Sequence, residues 1–297
     1  MKILLFGKNG QVGWELQRAL APLGELVALD RHADNGLCGD LANLKGLADT
    51  IDRLKPDVIV NAAAYTAVDK AESEPVPAHT INALASEVMA QAARRSGAWL
   101  IHYSTDYVFD GSGDKPWQES DATGPLGVYG ATKLKGEQLI QESGCSHIIL
   151  RTSWVYGARG NNFAKTMLRL AQERDSLNVI DDQIGSPTGA ELLADVSAHI
   201  IRTATQRPEV SGIYHLVAAG ETSWFNYAGF VMDHARNAGL TLKVTPADLH
   251  AVPTSAFPTP AQRPHNSRLD TSKLENTFNL KMPAWQSGVT RMLTEIL

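Results

Sequence analysis

Short apolar runs alternate along the chain with longer stretches in which apolar residues recur every three or four positions. The runs are KILLFG (2–7), LVALD (26–30), DVIVNAAA (57–64), AWLIHYST (98–105) and HIILRTS (147–153). Each is nearly continuous in apolar residues, as strands buried on both faces are. Between the first two, residues 11–23 place Val12, Leu16, Ala19, Leu20 and Leu23 on one helical face. Residues 41–54, 79–97 and 129–143 read as further helices. This alternation predicts a parallel sheet covered on both sides. The fold class is α/β, a doubly wound, Rossmann-like parallel sheet whose ligands bind outside the carboxyl ends of its strands.

After about residue 155 the pattern loosens. Helices are predicted over 161–174, 189–204 and 224–239, and a strand over 212–217. The stretch AVPTSAFPTPAQRP (251–264) holds four prolines in fourteen residues and is expected to contain no regular element. Residues 1–154 are expected to form the main domain, with 189–217 returning to it. Residues 155–297 are expected to be mainly a smaller C-terminal substrate-binding lobe.

Composition narrows the class. With 297 residues, 43% hydrophobic and 20% charged, the chain reads as a soluble globular protein. A net charge of −5 argues against a nucleic-acid partner. No segment approaches the roughly 20 apolar residues that cross a bilayer, and the N-terminal run is too short for a signal peptide. Cys38 and Cys145 show no paired spacing, which suits a reducing, cytoplasmic setting. Nine histidines form no HExxH-like grouping, so no catalytic transition metal is expected.

GKNGQVG sets glycines at 7, 10 and 13 between the first strand and the first helix. Gly7 allows a tight turn, Gly10 close approach to a pyrophosphate, and Gly13 packing of helix on sheet. Asn9, Gln11 and Val12 complete this cofactor-binding turn, and the helix N-terminus faces the negative charge. Asp30, ending the second strand, is placed to take the adenosine ribose hydroxyls. Asp40 and Leu41 lie within reach of adenine. Asn61, Ala62, Ala63 and Ala64 leave room beside the third strand. The first 154 residues therefore read as an NAD(P)-binding domain. Asp30 favours NADH by repelling a 2′-phosphate, whereas Arg31 and His32 could accept one, so NADPH and NADH both stay open.

Tyr129 and Lys133 are four apart on a predicted helix and share a face. A nearby ammonium is expected to lower the phenol pKa, so that Tyr129 can give a proton to a carbonyl oxygen while hydride reaches the carbon. Lys133 can also bond the nicotinamide ribose. Ser104 and Thr105 close the fourth strand.

Together, G-x-x-G-x-x-G, the strand-end Ser-Thr and Tyr-x-x-x-Lys resemble the extended short-chain dehydrogenases/reductases. By that resemblance Thr105 binds the substrate carbonyl beside Tyr129, with Ser104 a second contributor. NAAAYTAVDKAESEP (61–75), STDYVFDG (104–111), YGATKLKGE (129–137), RTSWVYG (151–157), NNFAKTML (161–168), DDQIGSPT (181–188) and RPHNSRLD (263–270) narrow it. They are similar to the dTDP-4-dehydrorhamnose reductases, over essentially the whole chain. That family reduces the 4-keto group of dTDP-6-deoxy-L-lyxo-4-hexulose, giving dTDP-L-rhamnose for surface polysaccharides such as the lipopolysaccharide O-antigen. Sugar dehydratases of the same fold carry Asp-Glu after the threonine. Here Asp106 is followed by Tyr107, which speaks against dehydration. Epimerases of the fold share the Tyr and Lys, and a non-catalytic regulatory subunit of methionine adenosyltransferase shares the architecture.

The resemblance implies that Thr66, Val68, Thr105, Tyr107, Tyr129 and Trp154 surround the sugar of a dTDP-linked deoxysugar. Trp154 reads equally as a core residue at the domain junction. Arg263, Asn266 and Arg268 follow the proline-rich loop, where an arginine either clamps the diphosphate or lies on the surface. Some such reductases carry magnesium at a homodimer interface. Glu15, Glu191 and Glu295 match those ligands by local context, or are simply solvated helix glutamates.

Overall fold

In the computed structural model, which describes residues 1–32 and 35–297, six strands form one parallel sheet. They are β1 (Lys2–Phe6), β2 (Glu25–Leu29), β3 (Val58–Asn61), β4 (Trp99–Thr105), β5 (His147–Thr152) and β6 (Gly212–His215). Their spatial order is β6-β5-β4-β3-β1-β2. The chain leaves β1 for β2 on one side and returns to β3 on the other. That reversal opens a crevice at the carboxyl ends of β1 and β3.

The main helices are α1 (Gln11–Leu20), α2 (Leu44–Leu54), α3 (Ala85–Ser96), α4 (Val128–Ser143), α5 (Phe163–Glu173), α6 (Ala190–Ala204), α7 (Trp224–Asn237) and α8 (Trp285–Ile296). Successive residues of β1 point to opposite faces. Ile3 and Leu5 pack with Leu16 and Leu20 of α1 and Leu193 and Ile200 of α6. Leu4 and Phe6 pack with Leu47 and Ile51 of α2, Met89 and Ala93 of α3 and Ile140 of α4. Both faces are thus covered, which is why the strands read as unbroken apolar runs.

Local chemistry moves two helix starts. The second helix begins at Leu44, because the Asn43 side chain accepts the Gly46 N–H at 2.9 Å and caps it there. The third is preceded by a turn at Pro75–His79 and a wider π turn at Thr80–Leu84. Such π turns interrupt helices at functional sites. This one carries Asn82, whose role appears below.

In the C-terminal part, α5, α7 and α8 close around Tyr227, Trp285 and Val289. A strand at Leu249–Val252 runs parallel to one at Leu177–Ile180. The proline-rich stretch is therefore not wholly irregular, and that expectation is corrected. Ala251 and Val252 end the strand, and Thr254–Ala256 forms a single 3₁₀ turn. Pro253 has no N–H to extend the ladder.

The β6 edge of the sheet is closed by side chains. Glu119 accepts the His215 N–H at 2.9 Å, and Lys273 donates to the Ile213 carbonyl at 2.7 Å.

Candidate active site

A cleft of about 600 Å³ opens at the carboxyl ends of β1, β3, β4 and β5. Its first wall is the glycine turn. Gly7 has φ +88°, and a Cβ there would lie 2.9 Å from the Ala62 backbone. A Cβ at Gly13 would meet the Gly7 carbonyl oxygen at 2.0 Å, so only glycine lets α1 pack this close. No side chain caps the start of α1, which leaves its first N–H groups open to an anion. Gly7, Gly10, Gln11 and Val12 line the cleft, as do Asn61, Ala62, Ala63 and Ala64.

Asn9, Gly13, Asp30, Asp40 and Leu41, also expected at the cofactor, lie off the cleft itself. The Gly7 and Lys8 N–H groups both donate to the Leu29 carbonyl, which sets the end of β2 against the turn. Asp30 follows there. Its carboxylate accepts from His32 N at 2.8 Å and from Asn9 Nδ2 at 2.6 Å. The His32 N–H is the main cause holding Asp30 below the usual carboxylate range. Asp40 accepts the Ala42 N–H at 3.0 Å, and Leu41 is buried against the sheet.

Thr66, Val68, Ser104, Thr105, Tyr107, Tyr129, Lys133 and Trp154 all line the same cleft. Thr105, the last residue of β4, accepts the Tyr107 N–H at 3.2 Å and donates to Asp106 Oδ1 at 3.1 Å. The Tyr107 and Tyr129 rings meet edge to face, with centroids 5.6 Å apart. Burial pushes the Tyr129 phenol up, and the Thr105 hydroxyl pulls against it. Lowering by Lys133, expected from the helical spacing, is not found. The lysine turns instead to the floor of the cleft, 2.6 Å from the Tyr103 carbonyl and 3.1 Å from His102 Nε2. Burial pushes Lys133 down to about 8, and Glu137 opposes that shift. Asp106 is 2% exposed, and burial pushes it up to about 6 against the lowering pull of the nearby Ser267 and Thr105 hydroxyls.

Four buried oxygens of cleft residues have no hydrogen-bond partner: Ser104 Oγ, Asp106 Oδ2, Thr152 Oγ1 and Ser153 Oγ. Buried polar groups in a folded protein are paired. A polar ligand supplying those partners fits the cleft, and a nicotinamide with its ribose is such a ligand.

Trp154 is half-buried at the edge of the cleft. It lines the cleft, and it stacks on Trp224 at 3.6 Å between ring centroids. Its φ of +48° is strained for a bulky residue. Trp224 also lines the cleft but was hidden in the sequence as one aromatic among several opening α7. Asn82 was missed as well. It accepts the Tyr65 N–H at 2.8 Å and donates to Thr132 at 3.0 Å, tying the loop after β3 to the helix of Tyr129.

Two further expectations change. Arg263 pairs with Asp69 at 2.8 Å and does not line the main cleft, although its neighbours Ala261 and Pro264 share a small recess with Tyr107 and Tyr129. Asn266 is corrected: it is 2% exposed, and its amide is spent on the Ser112 and Lys115 carbonyls and the Arg268 N–H. Arg268 itself pairs with Glu221 at 2.7 Å.

The three glutamates are close enough for Glu15 and Glu295 to help burial raise Glu191. Glu15 pairs with Arg18 and Glu295 with Arg291, each at 3.3 Å. Among the described residues no three His, Cys, Asp or Glu side chains form a group that could hold a metal ion.

Comparison with known proteins agrees with this geometry. The model of the RmlD substrate binding domain matches residues 1–297. The dTDP-4-dehydrorhamnose reductase of Salmonella typhimurium is 63% identical, covering 100% of this chain and 98% of that protein. A solved dTDP-4-dehydrorhamnose reductase from Clostridium acetobutylicum superposes with TM-score 0.87 at 35% identity, covering 100% and 99%. The Bacillus anthracis enzyme, solved in complex with NADP, gives TM-score 0.86 at 34% identity, covering 99% of each chain. The chain belongs to the dTDP-4-dehydrorhamnose reductase family.

Proposed function

We propose that this chain is an NAD(P)H-dependent oxidoreductase. It reduces the 4-keto group of dTDP-6-deoxy-L-lyxo-4-hexulose to give dTDP-L-rhamnose. The observation that carries the reading is the convergence of Thr105, Tyr129 and Lys133 with the glycine turn in one cleft. Gly7, Gly10, Gln11, Val12 and Ala62 to Ala64 would hold the dinucleotide, with Asp30, Asp40 and Leu41 toward its adenosine end. Bound there, the reduced nicotinamide supplies hydride to the sugar carbonyl carbon.

The chain's own residues do the rest. Thr105 and Ser104 orient the carbonyl oxygen with their hydroxyls. Tyr129, kept protonated by burial, gives that oxygen its proton. Lys133 stabilises the phenolate left behind once it is charged. Thr66, Val68, Tyr107 and the Trp154 face surround the sugar. The ionised Asp30 favours NADH, and the exposed Arg31 and His32 would accept the phosphate of NADPH, so use of both is proposed.

Residues 1–154 with 189–217 are proposed as the cofactor-binding unit, and the rest as mainly the substrate lobe. The unpaired Cys38 and Cys145 support a cytoplasmic setting. The exposed indole of Trp14 beside Glu15 supports a homodimer through α1, which a monomer in sedimentation would rule out.

The test is loss of the reduced-nicotinamide absorbance when protein, NADPH or NADH and the 4-keto sugar are mixed. Tyr129→Phe is expected to lose most turnover while still binding cofactor. A fully active Tyr129→Phe protein would sink the mechanism.

A further inference from the structure

Lys133 sits where hydrogen-bond directions are fixed by their neighbours. Asn61 Oδ1 accepts the Ala63 N–H at 3.1 Å. Its Nδ2 therefore faces the other way, 3.1 Å from His102 Nδ1. An amide NH₂ only donates, so Nδ1 must accept. A neutral imidazole has one N–H, which is then on Nε2. Nε2 lies 3.1 Å from Lys133 Nζ. An ammonium has donors and no acceptor, so the charged lysine would meet this N–H donor to donor. The amine, with its lone pair, accepts it.

The surroundings offer no escape from this conflict. Burial, helped by Lys133, holds His102 well below its ordinary pKa, so the ring stays neutral. Glu137 stands one turn along α4, but Arg151 of β5 takes both its oxygens. Tyr129, on the same helix, is kept neutral by burial. From β4 only His102 and the Tyr103 carbonyl reach Nζ, and that carbonyl accepts from either form of the lysine. Asp106, just past β4, acts on the Tyr129 phenol. Burial independently weakens the Lys133 charge, holding it at about 8.

We propose that Asn61 and His102 are a positioning pair that selects the neutral amine of Lys133 before cofactor binds, and that Lys133 takes a proton from solvent when ribose hydroxyls replace His102 as its partner. The second half rests on the proposed reduction, and the first does not. The proton balance is one amine plus one solvent proton giving one ammonium. Above pH 8 the lysine charge that stabilises a Tyr129 phenolate is then present mainly in the loaded site.

The experiment has two arms. Protein with ¹⁵N-labelled histidine, without cofactor at pH 9, gives ring ¹⁵N–¹H correlations that report which nitrogen carries the proton. His102 is assigned from its absence in His102→Gln, or by through-bond connection to its backbone. The expected state is Nε2–H, and Nδ1–H overturns the proposal. NADPH is then titrated calorimetrically at pH 9 in two buffers of different ionisation heat. Uptake of about 0.9 proton per NADPH is expected if Lys133 moves from about 8 to its ordinary value near ~10.4. Intact binding with no uptake overturns the coupling. Asn61→Asp would accept from Nδ1–H, flip the tautomer and reduce the uptake several-fold, and unchanged uptake counts against the pair. Failure of NADPH to bind at all would refute the proposed function and with it the proton uptake, while the ring spectra still decide the tautomer.

Discussion

Replacing Arg151 by methionine strands Glu137. The two side chains are 3% and 0% exposed, and Arg151 Nε and Nη2 hold the Glu137 oxygens at 2.7 to 3.2 Å. Methionine keeps much of the volume beside the Phe109 ring, over which the guanidinium lies at 5.0 Å. The loss is therefore mostly electrostatic. Breaking a buried pair by removing one partner costs about 3–5 kcal/mol. For a chain of this size that is a drop of about 6–10 °C in Tm. Arg151→Met should thus be much weaker than the parent at pH 8, where a carboxylate is ionised. Adding Glu137→Leu removes the stranded charge, and the double variant should return to within about 1–2 kcal/mol of the parent. Urea unfolding at pH 8 of the parent, the two single variants Arg151→Met and Glu137→Leu, and the double variant measures this cycle. A single variant as stable as the double at pH 8 would refute the reasoning.

Two further outcomes follow from the cleft. Gly185→Ala puts a Cβ 2.7 Å from Trp154 Cε2, and that indole, already stacked on Trp224, must shift by about 1 Å. Steady-state kinetics should show a loss of about 10²-fold in kcat/KM, with a matching change in indole fluorescence, and parental values for both would contradict it. Asp106, pushed up to about 6 by burial, opposes folding increasingly as pH rises from about 4 to 6 and fully above that. Asp106→Asn should therefore gain stability relative to the parent across that window by up to about 3 kcal/mol, whereas a pH-independent difference in unfolding free energy would show that the carboxyl is not held protonated.

Much of this was legible in the chain because the physics was local. A strand buried on both faces must be apolar throughout, so all six sheet strands announced themselves. The glycine spacing and the four-residue step from Tyr129 to Lys133 likewise follow from one turn and one helix. What stayed hidden depends on distant partners. His102 lies inside an apolar run and gains meaning only from Asn61 on the next strand and Lys133 on a helix. Trp224 reaches the cleft from a helix far along the chain. Asn266 looked available for substrate, but the carbonyls of Ser112 and Lys115 consume its amide. The spacing placed Lys133 beside Tyr129, yet hydrogen bonding to the floor decides where its charge acts.

The sealed β6 edge bears on how the protein can be crowded or fused. An unpaired edge strand is a template on which another chain can lay down its own strand. Here the His215 N–H and the Ile213 carbonyl are already occupied by Glu119 and Lys273. Growth of the sheet into a neighbouring molecule is thus discouraged at β6 by two long charged side chains, one of them carried on the helix Ser272–Phe278 that packs beside the strand. Removing either one would expose a sticky ribbon, with aggregation at high concentration the first symptom, long before folding or the cleft was disturbed.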